Sequence, residues 1–422
     1  MGSEMCIRDS VITFNAGSSS IKFALFSIGA DGLLRRAAAG QVDGLGTCAH
    51  LKAKAADGRV LHDQALSAGE ACSHGDALAA ILALMQVQFP QLRFAAIGHR
   101  VVHGAARLTT STLIDDAVLA SLRTLVPLAP LHLPNNIVGI EATRRAFPGV
   151  AQVACFDTAF HRGGGFLSEA YALPRDYFEA GIRRYGFHGL SYEYVAARLA
   201  ELSPREAAGR VIVAHLGNGA SMCALRGGRS INTTMGFSAL DGLPMGTRCG
   251  AIDPGVLLHL VETHGYDAAR LSDLLYKESG LKGLSGISHD MRELEASEDP
   301  RASEAIAYFC ASIRREAGAL AASLGGIDAL VFTGGIGENS ARVRAAVLAG
   351  LGWLGIAFDP DAQPEGRGDR VISAPGSPVS AWVIATDEEA VIARHALGLV
   401  RADFQGTTTA SIAARHTKAS LS

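Results

Sequence analysis

The chain lacks several of the short motifs that would assign a chemistry at once. Its 422 residues contain no GxxxxGK[ST] phosphate loop, no HExxH pair and no CxxC pair, which excludes a Walker-type phosphate site and disfavours a zinc site. The seven cysteines stand singly, as is typical of a reducing cytoplasm. No apolar stretch reaches the ~18 residues of a membrane span, and residues 1–10 lack the apolar core of a signal peptide. These absences predict a cytoplasmic protein with no membrane partner.

Charge is also in short supply. The formal net charge is -3 and only 19% of residues are charged, so no general attraction to nucleic acid or to anionic membranes is expected. Hydrophobic residues make up 48% of the chain, which is ample for a core. A chain of this length is long for a single core, and two domains with a cleft between them are the default expectation.

Glycine, by contrast, is arranged in three segments that each lie beside a β-branched run. They are residues 15–22 (NAGSSSIK), 215–221 (HLGNGAS) and 333–339 (TGGIGEN). Glycine lets backbone N–H groups approach a phosphate without an intervening Cβ, and consecutive amides form an anion-binding concavity. The three segments, interpreted as turns, predict a nucleotide clamp assembled from distant parts of the chain, in which Ser18, Ser19, Ser20 and Lys22 handle phosphate oxygens. Simple turn chemistry is the alternative.

The apolar spacing predicts an α/β protein. Strands are expected at 11–14 and 21–26, joined by the first glycine turn, and the same strand, turn, strand arrangement recurs at 210–214 and 222–225. This repetition suggests a duplicated domain. Helices are expected at 76–89, 136–147, 303–324 and 390–399. We expect one domain over 11–160, with a helix at 390–402 packing back on it, and a second over 161–389; residues 1–10 and 403–422 are expected to lack regular structure or to be non-native.

Two arginines are candidates for binding anions. Arg100 stands in GHRVVHG and Arg248 in GTRCG, each flanked by glycine. A guanidinium binds carboxylate or phosphate with two hydrogen bonds and is not deprotonated in proteins. A surface salt bridge is the alternative for each arginine alone; beside the phosphate-binding segments, stabilisation of transferred charge is favoured.

Histidines and acids supply the remaining candidates. His188, in YGFHG, is the predicted transition-state donor, whereas His132 and His215 could equally hold loops in place. Asp157 and Glu388 each follow a strand-like run and are candidates for holding magnesium or for orienting an arginine. Asn15 could add a neutral oxygen near the metal, which keeps several waters of its own. Glu389 could instead be a negative charge at a helix N-terminus.

Six strings taken in order resemble the acetate kinase family, within the superfamily of acetate and sugar kinases, heat-shock chaperones and actin. They are FNAGSSSIKF, GHRVVHG, PLHLPNN, YGFHGLSYEYV, HLGNGAS with MGFSALDGLPMGTRCGAIDPG, and FTGGIGENS followed by TDEEAVIA. The resemblance implies two duplicated actin-like (ribonuclease H-like) domains with a nucleotide cleft between them, and a homodimer. It also implies reversible transfer of the ATP γ-phosphoryl group to acetate, giving acetyl phosphate and ADP, with Mg²⁺ or alternatively Mn²⁺.

The same resemblance assigns roles to particular positions. Asn15 and Glu388 would position the metal, and Arg100, Asp157, His188 and Arg248 would be catalytic. The substrate pocket would comprise Arg100, Val102, Leu131, His132, Phe187 and Ala239. The nucleotide would contact Lys22, His215, Leu216, Gly217, Asn218, Gly219, Asp290, Met291, Arg292, Gly335, Ile336, Gly337, Glu338 and Asn339.

One position departs from the family pattern and leaves the acyl substrate open. Ala239 stands where many members have a proline beside the substrate methyl group, so a propionate or other short-chain acyl kinase is an alternative; a methylene in an apolar pocket is worth only about 1–3 kcal/mol. Met291 replaces an aromatic residue found beside the base in some members, which leaves the preference for ATP open. An actin-like or chaperone-like nucleotide switch is the non-enzymatic alternative. A sugar kinase would need an aspartate base, for which Asp157 is the one candidate.

Overall fold

The chain folds into two units. The computed structural model describes residues 9–17, 20–46, 48–66, 73–359 and 368–419, with side chains up to residue 403. One unit is formed by the described residues of Met1–Ala159 and Glu388–Ser422, and the other by Phe160–Asp387. The expectations stated for residues 1–8, for Ser18 and Ser19, and for 420–422 fall outside the described residues. No helix in the described ranges combines the length and the apolar character needed to cross a membrane.

An eight-stranded mixed sheet forms the first unit. Its strands are β1 (Asp9–Ala16), β2 (Ser20–Ile28), β3 (Leu34–Asp43), β4 (His50–Ala55), β5 (Val60–Ala65), β6 (Arg93–Val101), β7 (Thr112–Leu113) and β8 (Gln152–Phe156), and its helices are α1 (His74–Gln88), α2 (Asp116–Thr124) and α3 (Leu133–Ala146). The strand order is β5-β4-β3-β2-β1-β6-β8-β7. Strands β1 to β5 form an antiparallel meander, whereas β6 and β8 run parallel to β1. Apolar side chains of β1 and β2 pack against Leu78, Ile81 and Met85 of α1 as the core of one face.

The second unit repeats this arrangement. Its strands are β9 (Arg210–Leu216), β10 (Ala220–Arg226), β11 (Arg229–Thr233), β12 (Ala329–Thr333), β13 (Arg370–Val371) and β14 (Ser380–Val383), in the order β11-β10-β9-β12-β14-β13. Strands β9, β10 and β11 are antiparallel neighbours, and β12 and β14 run parallel to β9. The succession β11-β10-β9-β12-β14 therefore matches β3-β2-β1-β6-β8 in order and direction, as the repeated hairpin pattern in the sequence predicted.

The second unit also contains a series of helices, several of which contact its sheet. They are α4 (Phe166–Glu169), α5 (Arg175–Glu179), α6 (Gly189–Leu202), α7 (Pro204–Ala207), α8 (Pro254–His264), α9 (Ala268–Asp273), α10 (Gly280–Ser285), α11 (Met291–Ala296), α12 (Pro300–Leu324), α13 (Gly334–Asn339) and α14 (Ala341–Leu348). The longest of these, α12, begins where the Asp299 carboxylate accepts the Arg301 amide and ends at Gly325, which has a left-handed φ of 71°. Its apolar strip, including Ile306, Phe309 and Ile313, is buried as the helical spacing predicted.

The third glycine segment is a helix rather than a turn, which corrects the sequence-based expectation. Residues Gly334–Asn339 form α13 directly after β12. Gly334 adopts a left-handed φ of 78°, and its amide donates to the Glu338 carboxylate at 3.0 Å. A carboxylate inside the segment thus satisfies an amide of the first helical turn, which allows a short helix despite three glycines.

The last helix, α15 (Glu388–Ala419), belongs to the first unit. It packs on β1, β6 and β8, and a Cβ on Gly98 would lie 2.4 Å from Cγ2 of Ile392, so only glycine permits this approach. The helix begins two residues before the expected 390 and continues through residues 404–419, for which we expected no regular structure. Four alanines favour the helical state there, whereas four threonines and Gly406 do not, so helix propensity alone does not account for this extension.

Candidate functional site

Three predicted side chains of the first unit stand at the same edge of its sheet. Asn15, Arg100 and Asp157 lie at or just beyond the ends of β1, β6 and β8, and these strands are parallel. The carboxyl ends of parallel strands are the usual place for ligand sites in α/β sheets. The strand register therefore brings together residues that are far apart in the sequence.

These side chains form a hydrogen-bonded group with Glu388 that we call the Arg100 cluster (Asn15, Arg100, Asp157 and Glu388). Arg100 Nε donates to Asp157 Oδ1 at 2.8 Å, and Nη2 donates to Oδ2 at 2.5 Å. Arg100 Nη1 donates to Asn15 Oδ1 at 3.0 Å, and Asn15 Nδ2 donates to Glu388 Oε2 at 2.9 Å. Asp157 is 1% exposed and the Arg100 side chain 16% exposed. The guanidinium is thus held in one plane.

The electrostatics of this cluster assign Asp157 an orienting role. Burial alone would lower the pKa of the Arg100 guanidinium, but Asp157 and Glu388 raise it above its ordinary value, so Arg100 remains a cation. Burial raises the pKa of the Asp157 carboxyl, and Arg100 acts against that shift. Both Asp157 oxygens accept from Arg100, so this carboxylate fixes the guanidinium in place.

The donor set of the Arg100 cluster fits magnesium. Mg²⁺ prefers oxygen ligands, takes one or two carboxylates from the protein and keeps several waters. Glu388 supplies a carboxylate beside the Asn15 amide, 2.9 Å away. Among the described residues, no group of three His, Cys, Asp or Glu side chains gathers as a metal site.

Asn136 is a positioning residue that the sequence analysis missed. It is 4% exposed; its Oδ1 accepts the Val102 amide at 3.1 Å and its Nδ2 donates to the Ala16 carbonyl at 3.2 Å. It therefore ties the end of β1 to the end of β6, next to Asn15 and Arg100. The string PLHLPNN contains it, but a buried asparagine in a helix gives no local signal of such a bridge.

The predicted acyl-pocket residues are divided between the units. Val102 is buried after β6, Leu131 is 38% exposed and His132 is the N-cap of α3, all in the first unit. Phe187 is 2% exposed and Ala239 lies in a loop, both in the second unit. The Ala239 carbonyl accepts from Arg248 Nη1 at 2.9 Å. The backbone of residue 239 thus anchors a predicted catalytic arginine, a role that does not depend on its side chain.

In the second unit, two predicted catalytic side chains converge on Gly219; we call His188, His215, Gly219 and Arg248 the His188 cluster. A Cβ built on Gly219 would lie 3.3 Å from His188 Nε2 and 3.3 Å from Arg248 Nη2. The His188 and His215 rings are stacked with centroids 4.3 Å apart. The absence of a side chain at position 219 therefore keeps a space open beside an imidazole and a guanidinium, which suits an anionic oxygen.

His188 is held in an unusual backbone conformation. Its φ is 58°, in the left-handed region that non-glycine residues rarely adopt. Just before it, the Phe187 carbonyl accepts from the buried ring of His161, Nε2 to O 2.9 Å, and burial lowers the pKa of His161 to about 4. A neutral His161 thus fixes the peptide that leads into His188. Sequence analysis did not single out His161, because a lone histidine in FDTAFH has no distinguishing spacing.

Most of the predicted nucleotide residues line one cavity within the second unit. This cavity of about 600 Å³ is lined by Gly217, Asn218, His289, Asp290, Met291, Arg292, Glu295, Gly335, Ile336, Asn339 and Ser340. His289, Glu295 and Ser340 were not predicted; Ser340 Oγ donates to Glu295 Oε1 at 2.5 Å. Arg292 forms an exposed ion pair with Asp290. Nothing lies within 4 Å of a Cβ on Gly335, so the cavity wall is flat there.

The remaining predicted nucleotide residues lie elsewhere. Lys22 is an exposed residue of β2, opposite Asn15 in the register of the first unit. His215 and Leu216 end β9, and His215 Nδ1 pairs with the Ser191 hydroxyl at 2.8 Å. Gly337 and Glu338 are in α13, where the Glu338 carboxylate accepts the amides of Gly334 and Thr386. Glu338 therefore ties the start of α13 to the segment before α15.

Comparisons with known proteins agree with these features. A model of the acetokinase family matches residues 10–394. An acetate kinase of Methylocella silvestris is 53% identical over 92% of this chain and 98% of its own length. The crystal structure of Porphyromonas gingivalis acetate kinase has a TM-score of 0.81 and 37% identity, covering 93% of this chain and 100% of that one. A propionate kinase from Francisella tularensis has a TM-score of 0.82 and 35% identity, covering 92% and 98%.

Proposed function

The chain belongs to the acetokinase family, and from this membership we propose that it transfers the γ-phosphoryl group of ATP reversibly to acetate, forming acetyl phosphate and ADP. It is a phosphotransferase with a carboxyl group as acceptor, the activity named for its relative of 53% identity. The structural observation that carries the proposal is the convergence of His188 and Arg248 on Gly219. A second guanidinium, Arg100, is fixed by Asp157 and Asn15.

The reaction needs positioning and charge neutralisation rather than a base. Acetate is already ionised near pH 7, so its oxygen can attack phosphorus directly. Two anions must be brought together while negative charge spreads over the equatorial oxygens of the phosphoryl group. We propose that Arg100 and Arg248 neutralise this charge and that His188 donates an N–H to it. Oriented charge of this kind costs no reorganisation at the moment of transfer.

Asn15 and Glu388 are the proposed magnesium ligands. When bound, the metal would neutralise charge on the nucleotide phosphates. Glu388 begins α15 while Asn15 ends β1, so the position of this acid depends on the packing of the last helix on the sheet. Asn15 in turn links Glu388 to Arg100.

We propose a homodimer in a reducing cytoplasm. Helix α8 has no buried residue, and its apolar Val256, Leu258 and Val261 are 43%, 62% and 45% exposed. A helix with apolar residues on a solvent-facing surface supports association with a second copy. The described cysteines are all unpaired, which suits a reducing compartment.

The test is acyl phosphate formation, trapped as hydroxamate with hydroxylamine, for acetate, propionate and butyrate. We expect acetate to give the highest kcat/KM. In Arg100→Lys and Arg248→Lys, kcat should fall about 10²- to 10³-fold, because lysine cannot keep the oriented, two-pronged contact. Arg175→Lys is the matched control, since Arg175 pairs with Glu179 on an exposed surface.

Three results would count against the proposal. ATP hydrolysis without hydroxamate would favour the nucleotide switch. A higher kcat/KM for propionate would favour the propionate kinase alternative. Unchanged kcat in both active-site arginine variants would remove these residues from the reaction.

A further inference from the structure

A buried chain of hydroxyl groups extends from His188 into the second unit. His188 Nδ1 lies 2.8 Å from Ser221 Oγ, and Ser221 Oγ lies 2.5 Å from the hydroxyl of Tyr192. Ser221 and Tyr192 are both 0% exposed. Tyr192 is one helical turn after His188 on α6, and its amide donates to the His188 carbonyl at 3.1 Å. The three groups therefore have a fixed order: tyrosine, serine, imidazole.

The number of hydroxyl hydrogens in this group of three side chains determines the direction of each hydrogen bond. Within the described part of the molecule, the Tyr192 hydroxyl has Ser221 as its one hydrogen-bond partner. Burial holds the pKa of Tyr192 well above its ordinary value, so the phenol keeps its proton. A buried donor left without an acceptor is costly, so Tyr192 must donate to Ser221 Oγ. The single hydrogen of Ser221 is then directed to His188 Nδ1, which must accept it.

An imidazole that accepts at Nδ1 carries its proton on Nε2. Nε2 is the atom of His188 that stands beside the open space at Gly219, and Arg248 Nη2 lies beside the same space. Arg248, the stacked His215 and Tyr192 are ionisable groups that lie near His188. The guanidinium and the second imidazole both disfavour a positive charge on His188. These two neighbours and the hydroxyl chain thus favour the same neutral form.

We propose that Tyr192 and Ser221 are positioning residues that hold His188 neutral with its proton on Nε2, where it donates to the transferred phosphoryl group. The last clause rests on the proposed function; the tautomer assignment does not. In this arrangement the catalytic donor is set before substrate binds. Protonation of His188 would require Ser221 Oγ to accept from Nδ1 and to turn its own hydrogen away, leaving one hydroxyl of the pair without an acceptor.

The first measurement is the tautomer of His188 in the wild-type protein, by ¹⁵N NMR with ¹⁵N-histidine labelling. The His188 signals are identified by their loss in His188→Gln. We expect an Nε2–H tautomer with an unprotonated Nδ1. An Nδ1–H tautomer would overturn the proposal. This measurement needs no turnover. A protein that shows the Nε2–H tautomer but forms no acyl phosphate would therefore contradict the proposed function and not the tautomer assignment.

The second measurement is the pH profile of kcat for Tyr192→Phe. Without the phenol, Ser221 Oγ no longer accepts from Tyr192, and a water in the vacated space can accept the Ser221 hydrogen. Ser221 Oγ can then accept from Nδ1–H, so part of His188 adopts the unproductive tautomer. We expect kcat to fall about tenfold at alkaline pH, less than for loss of a whole donor. The defect should shrink on acidification, because the imidazolium again carries a proton on Nε2. Tyr194→Phe, the same change two residues along α6, should match the wild type.

Ser221→Ala and the double variant separate positioning from packing. If Tyr192 acts on His188 only through Ser221, Tyr192→Phe in the Ser221→Ala background should cause no further loss of kcat. A loss in Tyr192→Phe that is equal at every pH, with the wild-type tautomer retained, would assign Tyr192 a purely structural role. Additive losses in the double variant would do the same.

Discussion

Gly219 is the residue where small size matters most for the proposed chemistry. Its neighbours on either side are the donor nitrogens of His188 and Arg248, each 3.3 Å from where a Cβ would lie. The backbone there is not left-handed, so alanine is compatible with its conformation. A methyl group at 219 therefore fills the open space and moves each donor by no more than a few tenths of an ångström.

We predict that Gly219→Ala lowers kcat for acyl phosphate formation about 10²-fold, because the methyl group occupies the position of a phosphoryl oxygen. The free energy of unfolding should change by no more than about 1 kcal/mol, measured by urea denaturation. The control is Gly139→Ala in α3, where nothing lies within 4 Å of a Cβ; it should keep full activity and gain about 0.5–1 kcal/mol. An active Gly219→Ala enzyme would contradict the assignment of this space.

Sequence alone predicted charged and glycine residues that the fold brings together, but not the neutral residues that hold them. Arg100, Asp157 and Glu388 were predicted and lie in one hydrogen-bonded cluster. Asn136, His161 and Ser221 were not singled out. A buried serine in a strand or asparagine in a helix has the same local pattern as a core position, and its partners are 34, 26 and 33 residues away. Only the tertiary fold brings those partners together.

At the level of elements, α8 is a helix with no buried residue and several exposed apolar side chains. Leu258 is 62% exposed on it, and Leu33, in the turn between β2 and β3 of the first unit, is 63% exposed. These two leucines are therefore a matched pair for surface substitution. Only the one on α8 lies on the proposed dimer surface.

We predict that Leu258→Glu shifts the protein from the mass of two chains to that of one, measured by light scattering during gel filtration. A carboxylate at the centre of an apolar contact would lose its hydration without gaining a partner. Leu33→Glu should leave the mass unchanged. A monomeric wild-type protein, or a Leu258→Glu variant that remains a dimer, would show that α8 is not the contact surface.

Elements with strong periodicity were predicted well, and those with competing signals were not. The hairpins β1–β2 and β9–β10 and the helix α12 follow from alternation and helical spacing. Helix α13 was expected to be a turn, because glycine dominates the segment. Its helical form depends on Glu338 accepting the Gly334 amide, a contact that spacing statistics do not include. Helix α15 extends further than expected, although residues 404–419 are rich in threonine and contain a glycine, so local composition did not predict it.

For the molecule as a whole, each unit contains a buried neutral histidine. Burial lowers the pKa of His99 in the first unit and of His161 in the second to about 4, from 6.5. The folded form cannot take up these protons between pH 6.5 and 4, whereas the unfolded chain can. The contribution of these two histidines to stability is therefore constant above about pH 6.5 and is lost as the pH falls toward 4, by about 1.4 kcal/mol per pH unit for each histidine.

We predict that the free energy of unfolding is about 4 kcal/mol lower at pH 5 than at pH 7.5, summed over both histidines. Urea denaturation at the two pH values gives this difference. His99→Gln should remove about half of the pH dependence, and a second substitution at position 161 most of the remainder. Equal stability of the wild type at both pH values would show that neither histidine resists protonation in the folded state.

The packing of α15 on the first sheet has a consequence for synthesis. Strands β1, β6 and β8 leave the ribosome more than 200 residues before Ile392, whose side chain lies against Gly98. During translation one apolar face of the first sheet therefore stays exposed until α15 is synthesised. The second unit, Phe160–Asp387, is one continuous segment and can fold as soon as it emerges. The nascent protein completes its amino-terminal unit last, and a ribosome stalled before codon 388 would hold a finished second unit beside an unfinished first one.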